Sequence, residues 1–144
     1  MPNYCWKVSG PICSPRMFAS TKPWGVARLR LRRNNTQLKE LCTAWQTRGG
    51  EANDHTDEVY DAERLAELDQ LNAACAPVLD GFAAVVPRFA AYRHRLTSAA
   101  ARAVNGETKM FTGVMCGSFH DIWMELHEDL IQLLSIDRHA EGSY

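Results

Sequence analysis

Apolar residues through most of this chain recur every three or four positions, which is the spacing of one face of an α-helix. The first such run consists of Leu38, Leu41, Cys42 and Trp45. Asn35 or Thr36 can cap the start of this helix, and Gly49–Gly50 can end it. The pattern therefore predicts a first helix that begins near Asn35 and stops before the glycine pair.

Two more helices are predicted in the middle of the chain. The longer covers residues 57–86, with apolar side chains at Leu65, Leu68, Leu71, Cys75, Val78, Leu79, Phe82 and Val86. Pro77 lies inside it and predicts a kink or break, because proline lacks an N–H and clashes with the preceding turn. The next helix covers residues 88–104 and ends at Asn105–Gly106, a pair suited to left-handed backbone. The residues that follow are expected to form a connector packed on the bundle.

The last helix has the best-marked start. Ser118 is followed three positions later by Asp121, a shortened form of the capping box in which each side chain bonds the other residue's backbone N–H. The apolar arc of this helix spans about 200°, so it is expected at the centre of the fold. The sequence thus predicts an all-α domain, a small bundle of about four helices over residues 34–138, with a tail at residues 139–144.

Residues 1–33 differ from the rest in both pattern and charge. Four prolines interrupt them, and they are expected to form an irregular leader outside the core. Leu29 and Leu31 alternate with arginines, so a short strand over Val26–Arg32 is the alternative. The leader holds seven Lys and Arg residues and no acid, whereas the rest of the chain holds nine basic and seventeen acidic residues.

The basic leader is the candidate for nucleic-acid binding, because phosphate groups are bound mainly by Lys and Arg. The candidate residues are Arg28, Arg30, Arg32 and Arg33. A solvated tail without a partner is the other interpretation of the same charges.

Several functional classes find no support in the sequence. No run of about 18 apolar residues occurs, so neither a membrane-spanning helix nor a membrane partner is expected. The five cysteines are scattered without a CxxC pair, and no secretory signal precedes them, which predicts reduced thiols in the cytoplasm. No nucleotide-binding or hydrolase motif is present. No cofactor and no metal are predicted.

Two histidines of the last helix lie within its apolar arc. His120 and His127 are seven residues apart, about 10 Å along the axis, so they cannot chelate one metal ion by themselves. Each can pack on the core and hydrogen-bond a neighbour. Alternatively, the two histidines line a ligand pocket together with Trp123 and Met124. An enzyme that uses this pocket, with Cys116 as a further group, is less favoured because no catalytic set is recognisable.

Three stretches of the chain resemble the helical C-terminal region of bacterial winged-helix regulators related to MarR and PadR, a region also found beside some pyruvate phosphate dikinase-like sequences. These stretches are LKELCTAWQ, NDHTDEVYDAERL and SFHDIWMELHEDLIQLLSIDR. The resemblance spans roughly Asn34 to Arg138. Its most specific part is the last helix, where a tryptophan lies between two histidines in the order HxxWxxxHEDL.

The resemblance implies a regulatory or interaction domain, either the effector-binding or the dimerisation module of a transcription regulator-like protein. It implies self-association through helices and a possible small ligand. A DNA-binding winged helix would precede this region in such proteins, but residues 1–33 are too short to form one. No recognition helix can be carried over, and direct DNA binding is in doubt. The alternative is a small enzyme or ligand-binding bundle around His120 and His127.

Overall fold

A computed structural model of the protein describes residues 22–134, and within them it contains five helices and one short hairpin. The elements are α1 (Lys22–Gln46), β1 (Thr47–Arg48), β2 (Glu51–Ala52), α2 (Glu58–Val85), α3 (Phe89–Val104), α4 (Lys109–Thr112) and α5 (Phe119–Leu134). Four of the helices are long, and α4 is a single turn. The prediction of an all-α helical bundle is confirmed.

Successive long helices run antiparallel, and specific polar contacts show it. The hydroxyl of Tyr60 near the start of α2 donates to the carbonyl of Ala44 near the end of α1, at 2.7 Å. Asp80 near the end of α2 forms an ion pair with Arg93 near the start of α3, at 2.8 Å. The three helices therefore follow an up–down–up path with short connections, as is typical of helical bundles.

A ladder of polar contacts joins α3 to α5. Arg88 binds both carboxylate oxygens of Asp129 (3.1 and 2.8 Å), and the Tyr92 hydroxyl donates to the same carboxylate at 3.0 Å. Arg95 binds both oxygens of Glu125, at 2.8 and 3.0 Å. Residue numbers rise along α3 as they fall along α5, so these helices are also antiparallel. Burial, followed by the Asp129 charge, raises the pKa of Tyr92 well above its ordinary value, so the hydroxyl remains a donor.

The hydrophobic core lies between the four long helices and is closed at one end by α4. Its fully buried side chains include Phe82, Phe89, Phe111, Phe119, Leu68, Leu79, Leu96 and Leu126. Phe111 of α4 stacks on Trp45 at the end of α1, with 5.1 Å between the ring centroids. The one-turn helix therefore acts as a plug, which agrees with the connector that was predicted to pack on the bundle.

The helix α2 continues through Pro77 from Glu58 to Val85 without a break. The prediction of a break at Pro77 is therefore wrong. Pro77 itself is exposed, while Val78 and Leu79 beside it are buried in the core. Packing on the neighbouring helices outweighs the backbone hydrogen bond that proline cannot make, since most helical stability in proteins comes from tertiary packing.

The first helix begins at Lys22, and this corrects the predicted boundary at residue 33. Within the described residues, neither the irregular leader nor the strand over Val26–Arg32 is present. Asn35 lies in the middle of α1 and does not cap it. Leu31 is only 7% exposed and extends the buried face of the helix toward its start. Residues 1–21 and 135–144, which include the predicted tail, lie outside the described part of the chain.

The strand pairing that the structure contains lies after α1, in a hairpin that the sequence pattern did not predict. Thr47 pairs with Ala52 and Arg48 with Glu51, and the turn between them is Gly49–Gly50. Both glycines have positive φ (62° and 85°), which glycine adopts without steric cost. Helix α1 therefore stops before the glycine pair, as predicted, but the glycines form the turn of the hairpin and do not end the helix.

The predicted capping box at the start of α5 is confirmed. The backbone N–H of Asp121 donates to the Ser118 hydroxyl at 3.2 Å, and the backbone N–H of Ser118 donates to the Asp121 carboxylate at 3.4 Å. The same carboxylate accepts the N–H groups of Cys116 and Gly117 at 2.9 and 3.0 Å. Burial raises the pKa of Asp121, but these backbone bonds outweigh it and lower the pKa overall.

Deletion of residues 1–33 tests the corrected boundary. We expect it to lower the free energy of unfolding by about 2 kcal/mol or more, because it removes about three turns of α1 and the buried Leu31. Urea denaturation followed by circular dichroism measures the loss. Deletion of residues 1–21 is the control, because it keeps α1 at full length. Equal stability of the two deletions would show that the start of α1 adds nothing to the fold.

Candidate binding surface

The indole of Trp123 links α5 to α1 through a buried hydrogen bond. Its Nε1–H donates to the Oδ1 atom of Asn35 at 3.0 Å. The two residues are 2% and 5% exposed, so both polar groups are removed from water and each satisfies the other. The bond identifies the face of α1 that lies toward α5, and with it the side chains that border the junction of the two helices.

Three predicted site residues flank Trp123 on α5. At 100° per residue, His120, Met124 and His127 lie with Trp123 in an arc of about 100°. Trp123 is buried in the core, whereas the other three are half-buried. The structure therefore brings the four predicted ligand-binding residues together on one flank of α5, opposite the flank that pairs with α3.

The flank of α1 next to Asn35 is basic. At the same step of 100° per residue, Arg28, Arg32 and Lys39 lie within about 60° of one another and of Asn35. Arg32 and Lys39 are exposed, and Arg28 is half-buried. We call this junction the α1–α5 seam. It is bordered by Arg28, Arg32, Asn35 and Lys39 from α1 and by His120, Trp123, Met124 and His127 from α5.

The helices of the seam are antiparallel, so its polar side chains are ordered about the central hydrogen bond. Lys39 and His120 lie on one side of that bond, and Arg32 and His127 lie on the other. Each helical residue advances about 1.5 Å, so each of these four lies about 4 to 6 Å along its helix from Asn35 or Trp123. The seam therefore combines basic groups from both helices with the apolar surface of Met124.

The other two arginines predicted for nucleic-acid binding lie on a different face of α1. Arg30 and Arg33 are exposed and share that face with Val26 and Leu29, which are 53% and 64% exposed. A strand would have placed Arg28, Arg30 and Arg32 on one side. The helix instead divides the four predicted arginines between the seam and the outside of the bundle.

A groove between α1 and α2 continues this outer face and has a volume of about 480 Å³. It is lined by Gln37, Glu40, Leu41, Ala44, Glu67, Gln70, Leu71 and Ala74. Leu41 and Leu71 are buried at its floor, and the two carboxylates make it acidic. None of the predicted site residues lines it. The sequence signal for this groove is the helical spacing of Gln37, Glu40 and Ala44. The same spacing is equally typical of an ordinary solvated helix face.

A polar cluster follows the hairpin and was not predicted. The Nδ1 atom of His55 lies 2.8 Å from an oxygen of Asp61, and the imidazole ring packs 4.6 Å from the Trp45 ring. The buried amide of Asn53 donates to the Trp45 carbonyl at 3.0 Å and to Asp61 at 3.1 Å. His55 has a φ of 57°, which a non-glycine residue adopts at a cost. The cluster holds the connection from hairpin to α2 against the core.

The three cysteines of the described chain differ in exposure. Cys116 is exposed, whereas Cys75 is fully buried and Cys42 is half-buried. Burial raises the pKa of Cys75 to about 12 and that of Cys42 to about 11. Within residues 22–134, no group of three or more His, Cys, Asp or Glu residues is placed to hold a metal ion. No helix of this part of the chain is long and apolar enough to cross a membrane.

Comparison with known proteins does not identify a relative. No family model, no curated protein and no solved structure matches this chain. Functional proposals for the seam and the outer face of α1 therefore depend on their own geometry and charge.

A double-mutant cycle tests the bond at the centre of the seam. Asn35→Ala leaves the buried Trp123 N–H without an acceptor, and we expect a loss of about 1–3 kcal/mol in unfolding free energy. Trp123→Phe removes the donor, so the double variant should lose less than the sum of the single losses. The expected coupling is about 0.5–3 kcal/mol. Thr36→Ala, at the exposed neighbour, should change stability by no more than about 0.5 kcal/mol. Additive losses would contradict the bond.

Alkylation of the native protein tests the environment of the thiols. A shift in pKa from 9.0 to about 11 leaves Cys42 with about a hundredfold less thiolate than an ordinary thiol. We therefore expect iodoacetamide to modify Cys116 well before Cys42 or Cys75, with sites assigned by peptide mass spectrometry. Unfolding in urea should make the three rates similar. Early modification of Cys75 in the native state would contradict the packing of α1 on α2.

Proposed function

We propose that this bundle is a regulatory domain that binds a small anionic effector in the α1–α5 seam and performs no bond-making step of its own. The observation that carries the proposal is the buried Asn35–Trp123 bond, which joins α1 to α5. Helical periodicity places Arg28, Arg32 and Lys39 on the flank of α1 beside Asn35, and it places His120 and His127 on the flank of α5 beside Trp123.

The chemistry of the seam favours a ligand with one acidic group and an apolar body. Guanidinium groups such as that of Arg32 bind carboxylate or phosphate through paired hydrogen bonds. The imidazoles of His120 and His127 can donate further hydrogen bonds. Met124 is a flexible apolar side chain that adapts to irregular ligand shapes. Organic acids and small phosphate esters fit this combination.

A ligand in the seam would act on the position of α1 relative to α5. It would contact both helices, so it would favour whichever separation of the two helices suits it best. The resemblance of the last helix to that of winged-helix regulators agrees with a regulatory role. The division of Arg28 and Arg32 from Arg30 and Arg33 weighs against a continuous nucleic-acid surface, because a phosphate backbone needs its cations on one face.

Thermal unfolding with three anions, benzoate, citrate and inorganic phosphate, at constant ionic strength tests the proposal. A probe that binds only the native state raises its stability by about 2.7 kcal/mol at a hundredfold excess over Kd. We expect at least one probe to stabilise the protein.

Two matched double variants identify the site. Arg28→Gln with Arg32→Gln should abolish the stabilisation, whereas Arg30→Gln with Arg33→Gln should retain it, because these arginines lie on the outer face. The two variants remove the same charge from the same helix. Stabilisation by none of the probes, or equal loss in both variants, would contradict the proposal. Salt-sensitive binding of duplex DNA that both variants weaken equally would favour a nucleic-acid partner instead.

A further inference from the structure

The outer face of α1 carries a stripe in which opposite charges occupy opposite halves of the helix. The stripe consists of Val26, Leu29, Arg30, Arg33, Gln37, Glu40 and Ala44. The positions 26, 30, 33, 37, 40 and 44 alternate steps of four and three, which is the spacing of a coiled-coil seam. The half toward the start of α1 is basic and apolar. The half toward its end is acidic and borders the groove against α2.

Much of the stripe is open to solvent in the single chain. Val26 is 53% exposed and Leu29 is 64% exposed, although they lie only three residues apart on a helix that is otherwise polar outside. Among the ion pairs of the described residues, none involves Arg30, Arg33 or Glu40. Neighbouring exposed apolar side chains next to unused charges are typical of interaction surfaces.

We propose that a second copy of this chain packs its own α1 antiparallel on this stripe. With the two-fold axis between Thr36 and Gln37, Arg33 of each copy lies opposite Glu40 of the other. In the same register, Leu29 of each copy lies opposite Ala44 of the other, at the open groove. Every favourable contact occurs twice, as a two-fold symmetric interface requires.

The charges select this arrangement over its alternative. A parallel pairing would place Arg33 against Arg33 and Glu40 against Glu40, and like charges at an interface oppose association. The antiparallel pairing replaces both repulsions with attractions. Glu67 of α2 also lines the groove, but its carboxylate is already paired with Arg64 at 2.8 Å, so Glu40 is the acid that the incoming arginine meets.

The groove supplies the apolar part of the interface. Its floor is formed by Leu41, Leu71, Ala44 and Ala74, and the two alanines leave room above it. A leucine from the second copy is of the right size and polarity to fill that room, because burial of its side chain removes apolar surface from water. The interface uses none of the charged residues of the α1–α5 seam. The proposal of a dimer can therefore be tested independently of the proposal of ligand binding in the seam.

Sedimentation velocity over a range of concentrations tests the proposal, with circular dichroism as the check on folding. We expect the wild-type chain to form a reversible dimer. Arg33→Glu or Glu40→Arg alone should raise the dimer Kd by about tenfold or more. The combination of Arg33→Glu with Glu40→Arg should restore the Kd to within about threefold of wild type, because the opposite charges then face each other again.

Two further variants separate the effect of charge from that of apolar contact. Arg102→Glu makes the same charge change at an exposed residue of α3, away from the stripe, and should leave the Kd unchanged. Leu29→Ser lowers apolar contact without changing charge and should weaken the dimer. A wild-type monomer at all concentrations, a dimer insensitive to Arg33→Glu and Leu29→Ser, or no recovery in the charge-swapped variant would each overturn the proposal.

Discussion

The buried indole N–H of Trp123 needs a hydrogen-bond acceptor, and the arrangement of the first helix depends on how that need is met. Asn35 supplies the acceptor from the middle of α1. A buried donor without a partner would cost about 1–3 kcal/mol, a large part of the net stability of a small domain. Together with the buried face formed by Leu31, Leu38, Leu41 and Trp45, the bond fixes the rotation of α1 about its own axis, and with it the side of the helix on which each charged residue lies.

That rotation turns one basic segment into two different surfaces. Arg28 and Arg32 border the seam with α5, while Arg30 and Arg33 lie on the outside with Val26 and Leu29. Arg30 and Arg33 are about 100° or more around the helix from Arg28 and Arg32, so one ligand or partner cannot use all four arginines equally. A ligand in the seam and a second copy on the outside would nonetheless share one rigid element.

The remaining helices form a more heavily braced half of the molecule. The ladder from α3 to α5 combines two bidentate arginine–carboxylate pairs with the hydrogen bond that the Tyr92 hydroxyl donates to Asp129. The plug formed by Phe111 and the cluster around His55 close the end of the core where α1 and α2 meet. These contacts position α5 so that its histidine flank lies toward α1 and its acidic flank toward α3.

Local signals in the sequence determined most of the helices. The apolar spacing predicted α2, α3 and α5 within one or two residues, and Ser118 with Asp121 marked the start of α5, because caps and periodicity depend on residues close together in the chain. The start of α1 could not be read in this way. Arginines and asparagines hide its helical face, which is buried only because Leu31, Asn34 and Asn35 meet distant helices. The grouping of His120, Trp123, Met124 and His127 was also predictable from helical periodicity. Which flank of α1 lies beside Trp123 was decided by the tertiary structure, since the bond to Asn35 spans 88 residues and the buried face of α1 packs on distant helices.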